Sequence, residues 1–201
     1  NADGPILGFL NSVRRALDDD PAVDLLLFID RSEGFSKDAR MLGEDSAGAR
    51  LYRLTRDSAQ RLSGGEHFPQ ITLDQDSELD SADADNIARF IAWGKSQSPA
   101  KNYALLIYSH ADGRTMCPDE DSKRDMGIPE LTAKLPAEAS VDFLALELCN
   151  MGGIEIAYQW RPGTGRFGAD VLVAIPNAGP PLDWDRAFAR IRSQGHGPDA
   201  D

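Results

Sequence analysis

His110 directly follows the apolar run "NYALLIYS" (102–109), and Cys149 directly follows "VDFLALEL" (141–148), so an imidazole and a thiol each stand where a strand ends. That pair suits nucleophilic catalysis. A thiolate attacks a carbonyl carbon, histidine manages the proton of the leaving amine, and backbone amides at a following helix start can hold the developing oxyanion. Cys149 is followed by Asn150-Met151-Gly152-Gly153, which brings the nucleophile and a helix N-terminus together, and such an end also favours the thiolate. Alternation along the strand puts Glu147 on the same side as Cys149, where its carboxylate can line the cleft. The two reactive residues lie 39 positions apart, about one strand–loop–helix–strand unit. A right-handed connection then sets their strands side by side or nearly so.

The elements that must position them are legible from apolar spacing. Helical patterns occupy 6–17, 80–97, 128–135, 153–160 and 183–191; strand patterns occupy 23–30, 49–54, 102–109, 141–148 and 170–175. Apolar strands alternating with helices predict an α/β fold with a mostly parallel sheet covered by helices on both faces. In such sheets ligands bind beyond the carboxyl ends of the strands, where His110 and Cys149 stand. The stretches 55–80 and 111–127 read as polar, acid-rich loops, and 161–168 as a glycine-rich one. Residues 1–195 read as a single domain, with 196–201 a flexible tail or severed linker.

Composition narrows the partners. With 201 residues, 41% of them hydrophobic, the chain can build one good core. A net charge of −12 argues against nucleic acid, because phosphate binding needs a basic face, and favours cationic peptides. No apolar run approaches the ~20 residues that cross a membrane, so a soluble protein is expected. The two cysteines do not make a disulfide framework. The chain begins at Asn1 without a signal-like segment, which leaves a leader and the compartment, secreted or cytoplasmic, open.

The blocks "YALLIYSHADG" and "DFLALELCNMGGIEIAYQW" resemble the histidine and cysteine blocks of the clostripain-like peptidases, in the caspase-like clan of cysteine proteases. "FIAWGKSQSPAKNYALLIYSH", "DEDSKRDMGIPELTAKL" and "ADVLVAIPNAGPPLDWDRAF" resemble further family segments, so the likeness spans about residues 23–191. The resemblance implies a caspase-like three-layer sandwich and cleavage of peptide bonds by a dyad of His110 and Cys149. It also implies an oxyanion hole from the amides of Ala111 and Cys149, and Glu147 in the pocket for the residue preceding the cut bond. An acid there implies peptide or protein substrates cut after arginine or lysine. Members are often matured by internal cleavage, so the chain is expected to be an N-terminal product with a C-terminal fragment of the same precursor as partner. Three positions depart from the family pattern. Ala111 stands where glycine is usual, Glu147 where aspartate is common, and Leu148 where a small residue precedes the cysteine.

Blander readings stand beside these. A lone cysteine at a strand end is most often an inert core residue; the histidine and the surrounding blocks reverse that here. Cys117 reads as an incidental, exposed thiol in a polar loop, and Asp112 as a turn residue. Asp119, Glu120 and Asp121 read as a solvated acidic loop, with calcium as the one cofactor such carboxylates would suit. His67 and His196 follow no strand. From other classes, a catalytically silent peptidase-fold module remains an alternative. A nucleotide binder ranks low, since "DRSEGFSKD" after the first strand carries no phosphate-binding glycine pattern.

Overall fold

The computed structural model describes residues 3–17, 23–32, 42, 46–75, 77–179, 182–184, 186–187 and 190. The chain divides into two compact units, Asn1–Ser63 with Ile71–Ser77 and Pro181–Asp201, and Gly64–Gln70 with Glu78–Pro180.

In the first unit, α1 (Asp3–Leu17) is followed by β1 (Leu25–Ile29), β2 (Arg50–Leu54) and β3 (Ala59–Leu62). These strands form an antiparallel sheet, Leu25 opposite Leu54 and Leu51 opposite Leu62. Helical spacing in α1 puts Ile6, Phe9 and Leu10 against Leu25, Leu27, Tyr52 and Leu54. Arg14 closes that helix on the sheet by donating from Nε to the Thr55 carbonyl at 2.8 Å. The two strands read from the sequence are present, and they pair antiparallel with each other. β3 lies inside the expected 55–80 loop.

The second unit holds the parallel sheet, β4 (Ala104–Tyr108), β7 (Val141–Glu147) and β8 (Ala169–Ala174), in the order β4-β7-β8. Its helices are α2 (Ala84–Gln97), α3 (Ile128–Lys134) and α4 (Ile154–Gln159). Asp83 caps α2 by accepting from the Asp85 amide, and Pro129 sits in the first turn of α3, where its missing N–H costs nothing. One face of the sheet, with Leu105, Leu144, Leu146 and Leu148, joins Ile91, Leu131, Ile156 and Trp160 in the main core. On the opposite face Ala145 is 0% and Glu147 5% exposed, so β7 is buried on both sides. Lys95 ties α2 to the start of β7 by donating to the carbonyls of Glu138 (2.7 Å) and Ser140 (2.8 Å).

The polar stretch 111–127 is a correction to the sequence reading. It folds as an antiparallel hairpin, β5 (Thr115–Asp119) with β6 (Arg124–Gly127), because Met116 faces Met126 and both are buried. Of the helix expected at 183–191, Trp184, Arg186, Ala187 and Arg190 are helical and the other positions from 185 to 191 lie outside the described residues, as do His196 and the 196–201 tail. No described helix is long and apolar enough to cross a membrane.

Candidate active site

β4 and β7 run parallel and in register from Ala104 opposite Phe143 to Tyr108 opposite Glu147. His110 and Cys149 each follow two residues beyond that last pair, on strands whose spacing is ~4.8 Å. The register therefore brings the chain at His110 and at Cys149 to neighbouring strand ends at the carboxyl end of the sheet. His110 is exposed and Cys149 half-buried.

The histidine is held by the hairpin. Cys117 donates its N–H to the His110 carbonyl at 3.1 Å, and Asp112 donates its N–H to the Thr115 carbonyl at 3.2 Å. Ala111 faces Met116 between these two bonds, the non-hydrogen-bonded position of an antiparallel pair. Its own amide is thus left outside the ladder. The Asp112 carboxylate accepts from the amides of Arg114 and Thr115, both at 2.8 Å, and from the Thr115 hydroxyl at 3.3 Å. Those bonds, the Thr115 amide first, hold its carboxyl below the usual range. Asp112 is the turn residue behind His110.

The cysteine is held from two sides. Gly113 has φ +89°, and a Cβ there would lie 3.1 Å from the Asn150 carbonyl oxygen and 3.3 Å from the Asn150 Cβ. The loop after His110 therefore touches the residue after Cys149. Asn150 itself takes φ +62°, a left-handed conformation that asparagine tolerates better than most residues. On the other side Gly152 donates to the Ile175 carbonyl at 2.9 Å, and a Cβ on Gly152 would sit 2.7 Å from the Pro176 nitrogen. Gly153 then caps α4, its carbonyl accepting from the amides of Ile156 and Ala157.

With the site's geometry in place, comparison with known proteins settles the family. The model of the Clostripain family, peptidase C11, matches residues 10–198. The chain belongs to the clostripain family. Clostripain of Hathewaya histolytica is 33% identical over 213 residues, covering 97% of this chain and 40% of that protein. A secreted C11 cysteine protease from Bacteroides thetaiotaomicron, solved with an irreversible peptide inhibitor, superposes with a TM-score of 0.60 at 20% identity, over 99% of this chain and 50% of that one. An inactive zymogen C11 protease from Parabacteroides distasonis gives 0.60 at 18% identity, over 92% of this chain and 48% of that one. The fold is thus the caspase-like α/β fold of these proteins, and the chain spans about half or less of their length.

Against the clostripain-family pattern, the three departures find physical accommodation. Ala111 is not among the described non-glycine residues with positive φ, so its methyl adds no backbone strain. Leu148 faces away from the cleft and packs into the main core. Glu147 is buried beside Tyr108, its registered partner across the parallel pair. Burial first, and then the negative charges at Glu147 and Cys149, push the Tyr108 phenol above its ordinary value.

Cys117 is another correction. It lies on β5, packs against the main core and takes φ +51°; burial pushes its thiol up to about 11, partly offset by a hydrogen bond with Ser109. An inert thiol replaces the expected oxidation liability. Asp119 is buried, and its carboxylate accepts from the amides of Ser122 (2.6 Å) and Ser81 (2.9 Å). Burial opposes its ionisation, but these bonds prevail and its carboxyl is held low. Glu120 and Asp121 are exposed. Glu78, which the sequence reading missed, has its carboxyl pushed up by burial and by Asp121 and Asp119, which places those three acids in one another's field. Tyr108 and Gly113 were missed as well, and Gly152 was read only as part of the helix start, without its contact with Pro176. Tyr108 had a signal, since it precedes His110 by the two residues that separate Glu147 from Cys149.

Proposed function

We propose that the protein is a cysteine endopeptidase that cuts after arginine or lysine through Cys149 and His110. The observation that carries this reading is the in-register pair of strand ends, with the loop of Gly113 against Asn150. The Cys149 thiol passes its proton to His110 as its sulfur attacks the scissile carbonyl carbon, and the amides of Ala111 and Cys149 receive the oxyanion. His110 protonates the departing amine nitrogen as the C–N bond breaks, leaving a thioester. Water, deprotonated by His110, then attacks the thioester carbon and frees the carboxylate product and the thiol.

Glu147 would pair with the basic side chain of the substrate residue preceding the cut. A charge-assisted pair in a partly desolvated pocket contributes ~1.5–3 kcal/mol, about a tenfold to hundredfold preference over a neutral side chain. Glu147→Gln should therefore lower kcat/KM for arginyl substrates by about that factor, while Cys149 reacts with iodoacetamide as in the wild type. An unchanged ratio of arginyl to neutral cleavage would remove Glu147 from this role.

The chemical steps need no cofactor. Calcium is proposed as a structural ion for Asp119 and Asp121, with Glu78 added to them and Glu120 adjoining in sequence; it would offset carboxylate repulsion beside the hairpin that holds His110. Chelation should then lower Tm, and a Tm indifferent to calcium and chelator excludes the site. The expected partner is a C-terminal portion of the same precursor. β8 is the outer strand of the parallel sheet and Val171 on it is 50% exposed, an edge that further strands would cover. Intact mass of the full-length protein, with and without Cys149→Ala, tests this. Two associated fragments only when the thiol is present support self-processing, and a single uncut, fully active species contradicts it.

A further inference from the structure

We propose that Tyr108 determines specificity in the pocket of Glu147, its ring forming the wall on which a guanidinium lies flat, so that arginine is preferred to lysine. This rests on the reading of Glu147 just given. Tyr108 is the registered partner of Glu147 across the parallel pair, and registered partners present their side chains on one face. Alternation sends Leu105 and Ile107 into the main core, which Tyr108 does not join; Tyr108 shares the face of Glu147 instead and feels the charge at Cys149. The residue is half-buried, so part of it is within reach of solvent and of a substrate. Its phenol stays neutral, because burial and the charges at Glu147 and Cys149 all oppose ionisation.

A carboxylate beside an aromatic face is a receptor for a planar cation. The guanidinium offers its edge to the carboxylate and its plane to the ring at once, whereas an ammonium is compact, strongly hydrated and gains less from the ring. The chain makes such a stack elsewhere, with the Arg161 guanidinium carbon 3.6 Å from the ring centre of Tyr158.

The test compares arginyl, lysyl and norleucyl peptide substrates in the full-length protein carrying Tyr108→Leu, Tyr108→Met or Tyr108→Phe, with Glu147→Gln as reference. Either aliphatic variant should raise KM for the arginyl substrate about tenfold with kcat little changed, and raise KM for the lysyl substrate far less, so the arginine-to-lysine ratio falls. Tyr108→Phe keeps the ring and should keep that ratio. Two aliphatic variants guard against one that fails to fold. If both preserve the ratio while Glu147→Gln abolishes the preference for basic over norleucyl substrate, Tyr108 is not the wall and Glu147 still sets the charge. A ratio lost in Tyr108→Phe also overturns the stacking role. If Glu147→Gln leaves the basic preference intact, the pocket reading and this inference both fall.

Discussion

Replacing Cys149 with alanine should lower turnover of arginyl peptides by about 10⁴- to 10⁶-fold, and His110→Ala should cost nearly as much, because nucleophile and base act as a unit and their losses do not add. The size follows from the covalent route. Without sulfur no thioester forms, and without the imidazole neither the departing amine nor the attacking water has a proton partner. Neither side chain carries the fold, since His110 is exposed and Cys149 stands at a turn beyond β7 rather than in the main core. Both variants should therefore keep a Tm near that of the wild type, and the double variant should be no slower than the worse single one. Steady-state rates on a fluorogenic peptide, read beside a melting curve, check this; residual turnover above a thousandth of wild type in a folded Cys149→Ala protein would contradict it.

The second large effect is expected at a residue that takes no part in the chemistry itself. Gly152→Ala places a methyl carbon 2.7 Å from the Pro176 nitrogen and 2.8 Å from its Cα, both of them backbone atoms. No side chain can rotate away, so the turn that carries Cys149 must shift. Overpacking of this kind costs ~1–3 kcal/mol. Misplacing a nucleophile by about 1 Å costs roughly 100-fold in rate. Turnover should thus fall about a hundredfold while the thiol still reacts with iodoacetamide, separating a displaced nucleophile from a lost one. Wild-type turnover in Gly152→Ala would mean that the turn does not fix Cys149.

The parts of this site that were legible in the sequence are those built from continuous apolar runs. β4 and β7 announce themselves because each is a near-continuous apolar run, β7 being buried on both faces, and the chemistry-bearing residues follow them directly. The hairpin that holds His110 was hidden, because its strands Thr115–Asp119 and Arg124–Gly127 carry only the Met116 and Met126 pair as a buried signal among turn and charged residues. The same concealment made Cys117 look exposed. Strand direction in the first unit was also out of reach, since β1 and β2 show apolar content but nothing that distinguishes antiparallel from parallel pairing. The close approaches of Gly113 and Gly152 are contacts across the fold, to Asn150 and to Pro176, and a run of glycines after a cysteine does not say which neighbour requires them. Ala111 shows the converse. It stands where the family usually has glycine, yet it sits at a non-hydrogen-bonded position of an antiparallel pair, away from positive φ.

The central claim is that Cys149, and not Cys117, is the activated thiol beside His110. Its most direct test is the competition of the two cysteines for an arginyl peptide electrophile, with the modified residue located by mass spectrometry. Cys117, its thiol pushed up to about 11 by burial, holds roughly a hundredfold less thiolate at neutral pH than an ordinary cysteine. The account predicts stoichiometric labelling of Cys149, slowed by His110→Ala, competed by arginyl substrate, and absent from Cys117. Labelling that falls equally on both cysteines, or that is indifferent to His110, would contradict it and leave a peptidase fold without peptidase chemistry.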